Sequence, residues 1–83
     1  MDQIARTTRQ VGEIVQRIRQ AEKRTQDDLA AQVRMRQATI SKLEAGESGT
    51  RLGTLLDVLT ALDLELVIRP RTKSSTREIE ENF

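Results

Sequence analysis

Eighty-three residues bound this chain to one small domain with, at most, a tail. Fourteen basic against thirteen acidic side chains leave a net charge of +1, so bulk charge points to no partner, and the lack of cysteine excludes disulfides and thiolate metal sites. A domain of this size buries only about 60% of the surface its unfolded chain exposes, which makes a second copy a natural support for the core.

The first helix is expected from about Arg9 to Lys23, because Val11, Ile14, Val15 and Ile18 recur at i, i+3, i+4 and i+7. Thr7 followed by Gln10 has the form of a capping box. Gly12 should weaken the first turn by about 1 kcal/mol relative to alanine. Arg17 and Arg19 fall off the apolar stripe. A second box, Thr25 with Asp28, opens a short helix over Gln26–Val33, with Asp27 and Asp28 in the turn where the helix dipole favours anions and Leu29, Ala30 and Val33 on the buried side.

A third helix should run from Gln37 to Ala45. Ile40 and Leu43 face inward, Ala38, Thr39, Ser41 and Lys42 stay outside, and Gly46 supplies a left-handed cap. The loop ESGT follows, with Thr50 a cap for a fourth helix whose stripe is Leu52, Leu55, Leu56, Leu59 and Leu62. The period then changes. Leu64, Glu65, Leu66, Val67, Ile68 and Arg69 alternate with period two and read as a strand that Pro70 ends. A lone strand leaves N–H and C=O groups unpaired, and the simplest remedy is the same strand of a second copy, antiparallel across a two-fold axis.

The segment from Arg24 to Gly46 poses the functional question. It is rich in charge and holds no histidine, cysteine or aromatic ring. Two helices of about eight residues are not stable alone and persist only on a scaffold, which the first and fourth helices can supply. The third helix then presents short polar side chains at its N-terminal end, and a helix so faced fits the major groove of DNA. Glutamine pairs with adenine N6 and N7, and a threonine or alanine methyl meets a thymine methyl. From Arg17 to Lys42 the charge is +4, suited to phosphates.

At these residues the chain resembles the Xre/phage-repressor helix-turn-helix family: Thr25-Gln26, Leu29-Ala30, Thr39-Ile40-Ser41 and Glu44-Ala45-Gly46 stand in the family's order and spacing. Within it, RQATISKLE, the leucine-rich fourth helix and LDLELVIRP are similar to HipB-like antitoxins. The resemblance implies a mainly α, lambda-repressor-like domain of four to five helices, with a C-terminal strand that pairs across a homodimer. It implies operator DNA and a HipA-like serine/threonine kinase toxin as partners. Gln26, Arg36, Gln37, Ala38, Thr39, Ser41 and Lys42 become the DNA-binding set, and Arg19 with Glu44 becomes a structural link from the first helix to the end of the third. Two departures stand out: Arg34 where the turn usually has glycine, and Arg36 where serine usually caps the third helix.

The expected organisation is a DNA-binding and dimerisation unit over 1–69 and a charged tail over 70–83. The tail has little to bury. Its bases Arg71, Lys73 and Arg77, with Arg69, suit flanking phosphates, and Phe83, the only aromatic residue, suits a partner's pocket. Catalysis finds no support, since histidine, cysteine and tyrosine are absent, and neither cofactor nor metal is expected. No apolar run approaches the roughly 18 residues of a membrane span, and MDQIARTTRQ lacks the apolar block of a secretory signal, so a cytoplasmic protein is expected. Two alternatives remain: a phage-type or restriction-controller regulator without a toxin, and a helical protein-interaction module that binds no nucleic acid.

Overall fold

A computed structural model describes residues 2–71 and folds them into four helices: α1 Thr8–Ala21, α2 Gln26–Val33, α3 Gln37–Glu44 and α4 Leu52–Ala61. The charged stretch 72–83, with Phe83, lies outside the described residues. The α2 and α3 helices pack on each other, α1 crosses α3, and α4 closes the other side of α2. At the centre lie Val15, Leu29, Ile40 and Val58, one from each helix and each fully buried, joined by Ala30, Leu43, Leu59 and Leu62. Burying side chains of this size yields about 1.5–3 kcal/mol apiece, which is what holds two eight-residue helices that would melt in isolation.

Local chemistry sets the helix ends. The Thr25 hydroxyl accepts from Asp28 N–H at 3.0 Å, while the Asp28 carboxylate accepts from Thr25 N–H at 2.8 Å, completing the expected capping box. The Thr7 box is half formed. Its hydroxyl accepts from Gln10 N–H at 3.0 Å, but the Gln10 side chain accepts from Arg6 N–H at 2.6 Å, one residue further back. Neither α3 nor α4 has a side-chain cap; the residues in the capping positions are Arg36 and Arg51, and Thr50 instead donates to Glu47 O at 3.4 Å.

At the other ends the chain reverses through left-handed residues. Arg34 adopts φ 59°, and Met35 N–H donates back to Ala30 O at 2.9 Å. Lys23 and Asp63 repeat the geometry after α1 and α4, with Arg24 N–H reaching Arg19 O and Leu64 N–H reaching Leu59 O. Only after α3 does a glycine, Gly46 at φ 82°, take this place. The turn between α2 and α3 therefore keeps the geometry a glycine would give, and Arg34 bears the steric cost of the left-handed region, about 1 kcal/mol or more.

Two expectations need correction. The leucine row of α4 is not one buried face: Leu52 is 62% and Leu56 41% exposed, while Val58 is fully buried. The packed row is Leu55, Val58, Leu59 and Leu62, the true i, i+3, i+4, i+7 set, and a reading by residue type passed over its valine. Gly12 is a packing requirement where the sequence suggested a defect, since a Cβ there would lie 2.5 Å from Glu44 O and 2.6 Å from Leu43 O.

Leu64 packs on the core, but Leu64–Arg69 forms neither helix nor strand, and among the described residues of this single copy there is no second strand for it to pair with.

Candidate nucleic-acid interface

The geometry begins in the interior. Arg19 on α1 and Glu44 at the end of α3 form a forked ion pair, Nε to Oε2 at 2.6 Å and Nη2 to Oε1 at 2.9 Å, with both residues buried. Arg19 also donates from Nη1 to Arg24 O at 2.7 Å. The Glu44 hydrogen bond holds the Arg19 guanidinium above its ordinary value, against the opposing effect of burial. Two buried charges are tolerable because each is matched and hydrogen-bonded.

From this pair a polar line runs outward. Gln26, in the first turn of α2, donates from Nε2 to Glu44 Oε1 at 2.9 Å. Its Oε1 in turn accepts from Gln37 Nε2, at the exposed first turn of α3. The carboxylate accepts only, so it forces the Gln26 amide nitrogen inward and its oxygen outward. That orientation makes Gln37 a donor towards Gln26. That leaves one Gln37 N–H and the Gln37 Oε1 on an exposed residue, the donor and acceptor pair that matches adenine N7 and N6.

The remaining candidates surround this point. Arg36, Ala38 and Lys42 are exposed, while Thr39 and Ser41 are half-buried. The helix thus shows an outer edge of Gln37, Ala38 and Lys42, flanked by two hydroxyl residues set lower than expected. A shallow groove beside this edge is shared by Arg36, Thr39 and Lys42 from the α3 side and by Thr50 and Arg51 from the start of α4. Nothing in the sequence marks Arg51 as a member of this site. It lies beyond the end of α3 and the loop that follows, and the reversal at Gly46 brings it and Lys42 to one groove. Near α2, Arg24 is tied by Glu22 at 2.9 Å and by Ala61 O at 3.2 Å, so its charge is spent on the fold.

The seam between α1 and the end of α3 is closely packed. Gly12 rests on the carbonyls of Leu43 and Glu44, Gly46 approaches the Arg9 backbone, and Thr8 Oγ1 donates to Gly46 O at 2.7 Å. Among the described residues no group of three or more histidine, cysteine, aspartate or glutamate side chains converges as a metal site, and no helix is long and apolar enough to cross a membrane.

Comparison with known proteins gives consistent matches. The family model HTH_3, helix-turn-helix, matches residues 15–68. An uncharacterised HTH-type transcriptional regulator, y4dL of Sinorhizobium fredii (strain NBRC 101917 / NGR234), is 37% identical over 68 residues, a match that covers 82% of this chain and 35% of that protein. The chain therefore spans about a third of that relative's length. A solved HipB–O4 20mer complex matches with a TM-score of 0.79 and 28% identity, over 86% of this chain and 100% of the other. A chain of the HipA–HipB–O2–O3 complex matches to the same extent, with a TM-score of 0.79, 28% identity and coverage of 86% and 100%.

Proposed function

This chain belongs to the Xre-type helix-turn-helix family HTH_3, and from that membership we propose that it is a transcriptional regulator that binds operator DNA as a homodimer and serves as the antitoxin of a HipA/HipB-like pair. The observation that carries the DNA reading is the line from Arg19–Glu44 through Gln26 to Gln37, which holds one exposed amide in a fixed orientation at the tip of α3. Such preorganisation favours reading a base edge over solvating a surface, because the ordering cost is met before DNA arrives.

In this reading α3 enters the major groove. Gln37 reads adenine, Ala38 and the Thr39 methyl lie against thymine methyls, and Ser41 bonds a base edge or backbone. Arg36, Lys42 and Arg51 neutralise phosphates on either side of the groove, while Gln26 positions Gln37. Two copies place two such helices on half-sites one or two helical turns apart. The HipA-like kinase partner rests on similarity to HipB, including a chain from a complex that also contains HipA. Under this proposal residues 1–69 bind DNA and dimerise, and 70–83 with Phe83 engage the toxin.

Fluorescence anisotropy with duplexes from the gene's own upstream region tests the DNA function. Tight binding to one duplex is expected, weaker binding to its scrambled counterpart, and an affinity that falls linearly on a log–log plot against salt. Equal affinity for both duplexes would remove the regulator reading. Co-expression with a kinase encoded beside the gene tests the antitoxin. A stable complex and suppressed kinase toxicity are expected, and free kinase beside DNA-bound regulator would leave a regulator without a toxin.

A further inference from the structure

Residues Asp63 to Arg71 read Asp-Leu-Glu-Leu-Val-Ile-Arg-Pro-Arg, acids in the first half and bases in the second. The segment leaves the body at Leu64, which packs on the core, and its apolar members grow more exposed along the chain: Leu66 is 49% exposed and Ile68 91%. An isoleucine almost wholly in water is a costly surface for a small domain unless something covers it. Beside it runs an open groove between the N-terminal residues, α1 and α4, whose lining includes Ile4, Ile14, Leu55 and the segment itself.

We infer that this segment pairs with its own copy in one register, antiparallel and centred on Val67, and that its charge pattern selects that register and that partner. The inference rests on the homodimer proposed above. Opposed residues in an antiparallel pair share a face of the sheet. A register centred between two residues would set Leu64, Leu66 and Ile68 opposite members of the polar face, so only registers centred on a residue keep the apolar face intact. Centred on Val67, Glu65 meets the partner's Arg69, twice by symmetry, while Asp63 stays outside the ladder, held at φ 59° in the cap of α4 with its N–H on Thr60 O. Leu66 meets the partner's Ile68, so the exposed isoleucine lands beside the partner's groove.

Shifting the centre to Leu66 sets Glu65 against Val67 and brings Arg69 opposite Asp63, which the cap of α4 keeps out of the ladder. Shifting it to Ile68 pairs Glu65 with the partner's Arg71 but sets Arg69 against Val67 and Leu66 against Pro70, so two charges face apolar side chains where the Val67 register has none. Centring on Glu65 opposes two carboxylates. Proline supplies a further check. Pro70 has no N–H and must occupy a position outside the hydrogen-bonded pairs. Centred on Val67, Pro70 faces Leu64, and this requirement makes Val67 and the Glu65–Arg69 pairs the hydrogen-bonded ones.

The test uses the full chain. Glu65→Arg alone and Arg69→Glu alone each oppose like charges across the two-fold, at exposed positions. Each variant should dimerise roughly tenfold or more weakly than wild type by sedimentation. An equimolar mixture should form the heterodimer seen by native mass spectrometry, and the double variant Glu65→Arg/Arg69→Glu should dimerise like wild type. The chain has no cysteine, so single cysteines report the register directly. Val67→Cys should crosslink to itself on oxidation, its Cα atoms about 5.5 Å apart in a hydrogen-bonded pair and within disulfide reach. Leu66→Cys and Ile68→Cys should not. Single variants as dimeric as wild type, statistical mixing, or preferential crosslinking at Leu66 or Ile68 would overturn the register while leaving a dimer standing. A wild-type chain that stays monomeric would overturn the dimer itself.

Discussion

Gln37 donates a side-chain hydrogen bond to Gln26, and this one contact joins the exposed tip of α3 to the interior of the molecule. Because Gln26 is itself held by the buried Glu44 carboxylate, the two glutamines should act as a unit. Gln37→Ala is expected to lower discrimination between operator and scrambled DNA by about 1–3 kcal/mol with the fold intact. Gln26→Ala should lose part of the same discrimination. A double-mutant cycle on DNA binding should then give a coupling of about 0.5–3 kcal/mol, and strict additivity would show that Gln26 does not position Gln37.

Behind that contact stands the Arg19–Glu44 pair. Arg19→Met strands a buried carboxylate and should destabilise the protein by about 3–5 kcal/mol in urea unfolding. Replacing both residues with methionine removes the stranded charge and should recover most of the loss. It also removes the anchor of Gln26, so stability should return while DNA discrimination does not.

Gly12→Ala sets two effects against each other. Intrinsic helix propensity favours alanine by about 1 kcal/mol. The new methyl would meet the backbone oxygens of Leu43 and Glu44 inside contact distance. Those carbonyls cannot retreat freely, because Leu43 O accepts the capping bond from Gly46 N–H at 3.0 Å. Packing should win, with a net loss of about 1–3 kcal/mol measured by thermal or urea unfolding.

Arg34→Gly should go the other way. The residue is exposed, and its left-handed backbone is one that glycine adopts without strain. After the extra entropy of glycine in the unfolded chain, a gain of about 0.5–1 kcal/mol is expected, visible as a higher Tm.

The capping box carries a pH dependence of known sign. Thr25 N–H, and then the Thr25 hydroxyl, hold the Asp28 carboxyl below its ordinary value of 3.8. A group with a depressed folded pKa contributes stability that is present above the unfolded value and lost as pH falls through the folded one. Asp28→Asn should therefore flatten the acid limb of the stability curve below about pH 4, where unfolded aspartate titrates, and leave a constant offset near neutrality. An Asp28 titration by NMR at or above the ordinary value would contradict the box.

Much of this protein was legible in the chain alone. The start of α2 at Gln26 is legible because Thr25 and Asp28 cap it through bonds that span three residues, and the helix ends at the left-handed Arg34. The inward places of Leu29, Ala30, Ile40 and Leu43 followed from periodicity, which is also a local property. What needed the tertiary structure involved residues distant in sequence. Gly12 reads as a weak helix former until α3 lies across it. Leu52 and Leu56 read as core until the packing of α4 turns Val58 inward instead. Arg51 joins Lys42 at one groove only through the turn at Gly46, and Gln26 becomes a bridge only when Glu44 arrives from the end of another helix. Sequence determines what each stretch can form, because capping, propensity and period act over a few residues. Which faces meet, and which charges are shut inside together, is decided by how four short helices share one small core.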